Sequence, residues 1–524
     1  MAILDRAAAL CSALKTRINQ LPDRVLLGWI TVLYFVWRII SLPPFEFGCD
    51  GVWKWSFLRY FHETGVWFPK EPEHHQGRWA QNLPNYGLME LFDSTTPWLG
   101  AVLPILTGLA VIFLVWLLAR LFTSRAGAVA VILMTVCNPV FVNESSQFLP
   151  SLPSTMYLLL TLYFFMLYLK NGGPRFLPFA AGITAGLAWG CKVTASYWIL
   201  GIVLFLLLNP TGGKNIPATK RFRFGWDLLL FGIGFLLIFI PETIVINKFF
   251  HVHLGRIDML RKHHGDNPIL VHFNLLEYIF SPLVIFLDPT GKFFRQGVQN
   301  ALFLLAMPVA VLQLRKKDIP QIQKFMLFVM FVAMACHCYM VVSVFPFKHP
   351  ERPLIRYFFT LFCIWNIIIV SCWRNILEIG SGKIRRLVVT AYGIVCIGLC
   401  ILLIVNIVND PILNQNNLFS KIRVYRCMKL HREQNLPVLV QYVNGRKFQT
   451  RTFKLIIAYE TFFGKTETLP SLRERREEFE RRAPLRSAND RLFFQLWGKQ
   501  PLPGSTCKCV VIDDDSVRLE EITF

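Results

Sequence analysis

Long apolar runs separated by short polar joints organise the first 410 residues. Their lengths predict about eleven membrane-crossing helices, at roughly 25–42, 98–119, 126–142, 153–169, 176–190, 193–208, 226–247, 297–314, 324–345, 354–373 and 387–408. Such runs approach the ~20 residues that cross a hydrocarbon core about 30 Å thick. Pro and Gly punctuate their ends, as membrane helices tolerate. A further run at 269–287 is interrupted by His272, Asn274, Glu277 and Pro282, and reads as a re-entrant or interfacial segment. Ahead of the first run, residues 1–24 carry Arg6, Lys15, Arg17 and Arg24 on a mildly amphipathic helix expected on the cytoplasmic face. No small-residue cleavage site accompanies that run, so it is expected to remain as a span.

From about Pro411 the pattern changes. Charged stretches such as LRERREEFERRAPLR alternate with short β-like runs, VLVQYV, FKLIIAYE and CVVIDDD. That alternation predicts a small α/β domain over 411–524. The expected fold class is therefore a polytopic α-helical membrane protein, 25–410, with a small extracytoplasmic α/β domain at its C-terminal side. No internal repeat or low-complexity tract interrupts this division.

Charge fixes the expected orientation. With the N-terminus inside, the inward joints hold Arg120/Arg125, Lys170/Arg175, Lys214/Lys220/Arg221/Arg223, Arg315/Lys316/Lys317 and Lys383/Arg385/Arg386. Each is short and basic, as positive-inside sorting requires. The outward stretches are then 43–97, 143–152, 248–296, 346–353 and everything after 409. The net charge of +22 belongs to this sorting, and nucleic acid is not an expected partner. Thirteen cysteines lie mostly within apolar runs, where they act as small hydrophobes; only the Cys507/Cys509 pair is placed for redox chemistry.

The outward stretch 43–97, expected as one large outer loop, concentrates candidate chemistry. It begins with Glu46 and Asp50, continues through Arg59, His62 and Glu63, and reaches His74, His75, Gln76 and Arg78. A carboxylate at the outer end of a first span can serve as general base toward an acceptor hydroxyl, or simply cap a helix. Asp50 is the first candidate and Glu46 the second. Arg59, Arg78 and Lys192 are fixed cations suited to a phosphate leaving group. Lys192 interrupts GITAGLAWGCKVTASYWILG, and a lysine in such a setting is paired, cavity-facing or functional, unless it snorkels to the interface. FPFKHPERPLIRYFF supplies Lys348, His349, Glu351, Arg352, Arg356 and Tyr357 as another wall of an anion site, or as an ordinary interfacial belt.

No cofactor is expected. The pairs His74/His75 and His263/His264, with His251 and His253, raise a divalent metal as the alternative, but no H-x-x-x-H or H-E-x-x-H helix occurs. Neither a G-x-x-x-x-G-K-[ST] loop nor a dinucleotide-type glycine turn is present. A phosphate-activated donor would therefore arrive on a lipid.

Several of these features together resemble one family. A short basic N-terminus precedes one span and a long outer stretch that opens on an acidic residue. LRYFHETGVW, a His-Gly-Arg neighbourhood and Pro-Asn-Tyr follow; later come a small-residue-rich helix pair ending in Lys192 and an Arg-Tyr before a late span. Over about residues 25–410 the chain resembles the GT-C superfamily of integral-membrane glycosyltransferases, above all the protein-mannosyltransferase and aminoarabinose-transferase-like branch. The resemblance implies transfer of a sugar from a polyprenyl-phosphate carrier to a hydroxyl of a lipid, glycan or protein, with inversion. It implies Asp50 as base and Arg59, Arg78 and Lys192 on the carrier phosphate, with Arg356 and Tyr357 nearby. His74, His75, Trp79 and Tyr86 are the expected substrate-lining side chains. Cys49-Asp50-Gly51 stands where many members have two adjacent acidic residues, and Glu144 where an aspartate is common. The runner-up reading is a transporter or flippase of lipid-linked sugars, and a third is a scaffold for envelope glycans. The expected location is a bacterial inner membrane with a periplasmic C-terminal domain, although Asn143-Glu-Ser also matches a glycosylation acceptor.

Overall fold

The computed structural model describes residues 13–41, 49–67, 76–96, 99–136, 138–145, 148–171, 174–208, 218–253, 255–258, 271–272, 278–280, 320–339, 349–350, 355–378, 491–496, 506–513 and 518–523. The chain is an integral membrane protein built mostly of helices. They are α1 (Asp23–Ser41), α2 (Cys49–Thr64), α3 (Trp79–Phe92), α4 (Leu99–Arg120), α5 (Arg125–Val136) and α6 (Pro139–Glu144). There follow α7 (Ser151–Asn171), α8 (Phe176–Cys191), α9 (Ser196–Leu208), α10 (Ala218–Phe250), α11 (Gln321–Cys338) and α12 (Phe359–Glu378). Among the described residues four segments, Leu99–Arg120, Ser151–Lys170, Gly225–Phe249 and Gln321–Cys338, are long and apolar enough to cross a membrane. The expected spans at 297–314 and 387–408 lie outside the described residues.

Two expectations need correction. The 43–97 stretch is not one loop, because α2 and α3 occupy most of its described part. His62 Nδ1 joins the two helices by meeting Glu90 Oε1 at 2.8 Å, and Phe61 packs at a tilt against Tyr86 with ring centroids 4.4 Å apart. Hydrogen bonds from Tyr86 and His62 hold the Glu90 carboxyl below its ordinary range. The expected span at 126–142 is also broken: α5 ends at Val136 and the short α6 begins at Pro139. Pro139 can neither donate to the preceding turn nor leave Asn138 a comfortable helical conformation. The Asn138 side chain instead accepts the Val140 amide at 2.8 Å and starts the new helix.

Small residues and paired hydroxyls hold the bundle. Gly182 of α8 and Gly234 of α10 let the two backbones approach so closely that a Cβ on Gly182 would collide with the Phe231 carbonyl, and one on Gly234 with that of Phe179. Close approach through small residues is a general device where lipid offers no hydrophobic drive between helices. Thr161 meets Thr184 across α7 and α8, and Thr155 meets Thr360 across α7 and α12, both at 2.8 Å. Leu229, Ile233, Leu237, Ile240 and Ile244 of α10 face outward, as a lipid-contacting helix requires.

The two ends of the bundle differ. At one, Asp23 pairs with Arg125 at 2.5 Å, and Asn19 accepts the Ala126 amide. At the other, Lys192 after α8 meets the start of α7 and the turn 355–358 ahead of α12, the start of α2 lies against Phe148, and Arg38 near the end of α1 reaches Phe141 of α6. Near residue 271 the expected re-entrant run yields a two-residue strand, Val271–His272, paired antiparallel with His349–Pro350. Beyond residue 410 the described residues form one antiparallel sheet in which 518–523 lies between 491–496 and 506–513. The runs VLVQYV and FKLIIAYE and the charged helix expected near them lie outside the described residues.

Replacing Gly182 or Gly234 by Ala is expected to cost about 1–3 kcal/mol by overpacking. Gly232→Ala, which meets nothing within 4 Å, serves as the control. Thermal unfolding in detergent checks this, and equal melting temperatures for all three variants would contradict the α8–α10 contact.

Candidate active site

Lys192 sits immediately after α8, where the chain leaves the helix in an extended conformation before the turn Val193–Ala195. Its ammonium donates to Ser151 Oγ at 2.9 Å and lies 3.9 Å from the centroid of the Tyr357 ring. A cation over an aromatic face gains electrostatic stabilisation there. Three remote segments thus meet at one charge: the end of α8, the start of α7 and the turn Ile355–Phe358 ahead of α12. Arg356 precedes Tyr357 in that turn. His337 lies near, its buried ring 4.8 Å from Tyr197 and 5.0 Å from Phe358.

The stretch 148–151 forms a wall between this lysine and α2. Ser151 takes Lys192 at one end of it, while the Phe148 carbonyl accepts the buried Lys54 ammonium at 3.3 Å at the other. Gly51 abuts the same residue, so that a Cβ there would lie 3.9 Å from Phe148 Cβ. Asp50, the second residue of α2, therefore begins its helix beside this wall. Glu144, last in α6 and buried, lines a cavity of about 290 Å³ with Phe148, Leu149 and Leu152. Arg38, which sequence reasoning passed over, is buried near the end of α1. It reaches the Phe141 carbonyl at 3.4 Å, one turn before Glu144.

A second cluster fixes Arg78. Arg256 and Glu242 are both buried and pair at 2.8 Å. Arg256 also donates to the carbonyls of Trp189 at 2.6 Å, Gly190 at 3.0 Å and Gly77. Burial pulls the Arg256 guanidinium down from its ordinary value, and the Glu242 carboxylate opposes that shift. Trp79, an expected substrate-lining residue, donates its indole N–H to Glu242 at 2.8 Å. The knot clamps residues 77–79 onto the end of α8, where a Cβ on Gly190 would touch Ala80 and Trp79. Arg78, between Gly77 and Trp79, is thereby held against the end of α8, next to which Lys192 follows. Lys54 and Lys192 are tied to the two ends of the short stretch 148–151.

Other candidates fall elsewhere. Arg59 pairs with Glu63 at 2.7 Å on its own helix. Tyr86 packs between Phe61 and Trp67 on the α2–α3 face. Glu46, His74 and His75 lie outside the described residues. Among the described residues no group of three His, Cys, Asp or Glu side chains could hold a metal ion.

The fold matches ArnT from Cupriavidus metallidurans bound to undecaprenyl phosphate, with TM-score 0.52, over 95% of this chain and 97% of that one, at 13% identity. It also matches the Archaeoglobus fulgidus oligosaccharyltransferase in the apo form, with TM-score 0.54, over 86% of this chain and 64% of that one, at 11% identity. The chain shares the fold of these two solved structures. Residues 84–244 match the family described as dolichyl-phosphate-mannose-protein mannosyltransferase. A search of curated proteins returns no match. The likeness is thus one of fold over most of the chain and of family sequence over residues 84–244.

Removing one partner of a buried ion pair costs about 3–5 kcal/mol, because the other charge is left uncompensated. Arg256→Met is accordingly expected to destabilise by that much, and Arg256→Met with Glu242→Leu to recover most of it. Denaturation of both variants checks this. A double variant no more stable than the single would contradict the pairing.

Proposed function

We propose that the protein transfers a single sugar from a polyprenyl-phosphate carrier to a hydroxyl acceptor at the non-cytoplasmic face of the membrane, with Asp50 as general base. The observation that carries this reading is the meeting of Lys192, Ser151 and Tyr357 at the wall against which α2 begins. Asp50 takes the proton of the acceptor hydroxyl. The acceptor oxygen attacks the anomeric carbon from the side opposite the phosphate, and the bond from that carbon to the phosphate oxygen breaks. The configuration inverts and the carrier phosphate departs with the bonding pair. Lys192 and Arg78 meet its growing negative charge, a stabilisation worth most in a site that excludes water. The undecaprenyl phosphate bound in the ArnT structure supports a polyprenyl phosphate as donor, and the mannosyltransferase family segment supports a sugar as the group moved. The acceptor is a lipid, glycan or protein hydroxyl, and the basic end near Asp23 faces the cytoplasm.

With purified protein and polyprenyl-phosphate mannose, Asp50→Asn is expected to lower kcat about 10²–10⁴-fold with donor KM nearly unchanged. Lys192→Met is expected to lower kcat/KM about 100-fold, with partial rescue in Lys192→Arg. Full transfer by Asp50→Asn would remove that residue as base. Lipid movement without transfer by the wild-type protein would replace the enzyme by a carrier.

A further inference from the structure

The cavity beside Glu144 has a chemistry that phosphate binding does not explain. It lies between α3, α4 and the start of α7, with a volume of about 290 Å³. Among the described residues lining it there is neither a lysine nor an arginine. Its wall is mostly apolar, with Leu149, Leu152 and Met156 in the α7 side. Into this lining α3 sets two amides one turn apart, Gln81 and Asn85.

Gln81 is only 3% exposed, and both its side-chain oxygen and nitrogen are without a hydrogen-bond partner. Asn85 is 2% exposed; its nitrogen donates to the Gln81 carbonyl at 2.9 Å, which leaves its side-chain oxygen unpartnered. Buried polar atoms are almost always hydrogen-bonded, and those that are not call for an explanation such as an absent ligand. An uncharged amide offers both a donor and an acceptor, the complement of a hydroxyl group. Apolar walls suit the C–H face of a sugar ring. The volume sits at the lower end of ligand cavities, about 300–1,000 Å³, which fits one monosaccharide and not a longer glycan. Position agrees: Phe148 lines the cavity and holds Lys54, while Ser151, three residues on, holds Lys192.

We infer that this cavity is the pocket for the donor's sugar ring, a neutral monosaccharide whose hydroxyls are read by Gln81 and Asn85 while its phosphate stays outside with Lys192. The inference rests on the transferase reading and adds to it a specificity site. Gln81 and Asn85 then govern which sugar is held, and the cations govern whether a carrier is held at all.

The test measures binding of two probes, polyprenyl-phosphate mannose and bare polyprenyl phosphate, to the full protein in lipid nanodiscs. Wild type is expected to prefer the sugar-bearing lipid. Gln81→Leu and Asn85→Leu are expected to weaken its binding about tenfold, the value of one hydrogen bond, with bare carrier unaffected. Leucine removes unpartnered buried polar atoms, so both variants are expected to melt no lower than wild type. If both probes weaken equally, or the sugar preference survives in both variants, the cavity assignment is overturned while the transferase reading stands. Binding of neither probe by wild type would overturn the transferase reading, and this inference with it.

Discussion

The buried pair of Arg256 and Glu242 is the interaction on which the working end of this bundle depends. Neither charge is tolerable alone in so dry a place, since an isolated ion there loses its hydration without compensation. Their mutual attraction is supplemented by the Trp79 indole on Glu242 and by three backbone carbonyls on Arg256. Because those carbonyls belong to Gly77, Trp189 and Gly190, satisfying one guanidinium fixes α3 against the end of α8 and both against α10. The bonds that neutralise the pair are therefore the bonds that place Arg78.

Lys192 is organised by the same logic with a different outcome. Ser151 Oγ and the Tyr357 ring are among its partners, and it sits half-buried. Those contacts hold the cation in place beside the start of α7, where an incoming phosphate would meet it. Lys54 is tied to the opposite end of the same wall, and so the start of α2 and the end of α8 are set by a few residues between Phe148 and Ser151. The cavity next to that wall divides the work: the cations are gathered on one side, while Gln81, Asn85 and apolar side chains line the other together with Glu144.

Much of this was legible in the sequence because apolar runs long enough to span a membrane leave few alternatives. The runs at 98–119, 153–169, 226–247 and 324–345 all became long helices. The 126–142 run broke at Pro139, a signal already written in it. α2 and α3 were harder to see, since their aromatic and polar residues are mixed around the helix and show no clean apolar stripe. Lys192 stood out as a lone charge within an apolar stretch. Glu242, beside Pro241 in the α10 run, carried the same signal and went unread, as did Arg38 and Lys54. Arg256 could not be placed from sequence, because its partners come from residues 77, 189, 190 and 242.

The central claim is that the beginning of α2 lies against the wall that holds Lys192. Gly51 and Phe148 make it directly measurable, because a Cβ at Gly51 would lie 3.9 Å from that of Phe148, within the range a disulfide bridges. In protein carrying Cys49→Ser, the pair Gly51→Cys and Phe148→Cys is expected to close under a mild oxidant, with the linked peptide identified by mass spectrometry. A folded double variant whose two thiols stay reduced would place α2 elsewhere, and would separate Asp50 from the phosphate-holding lysine.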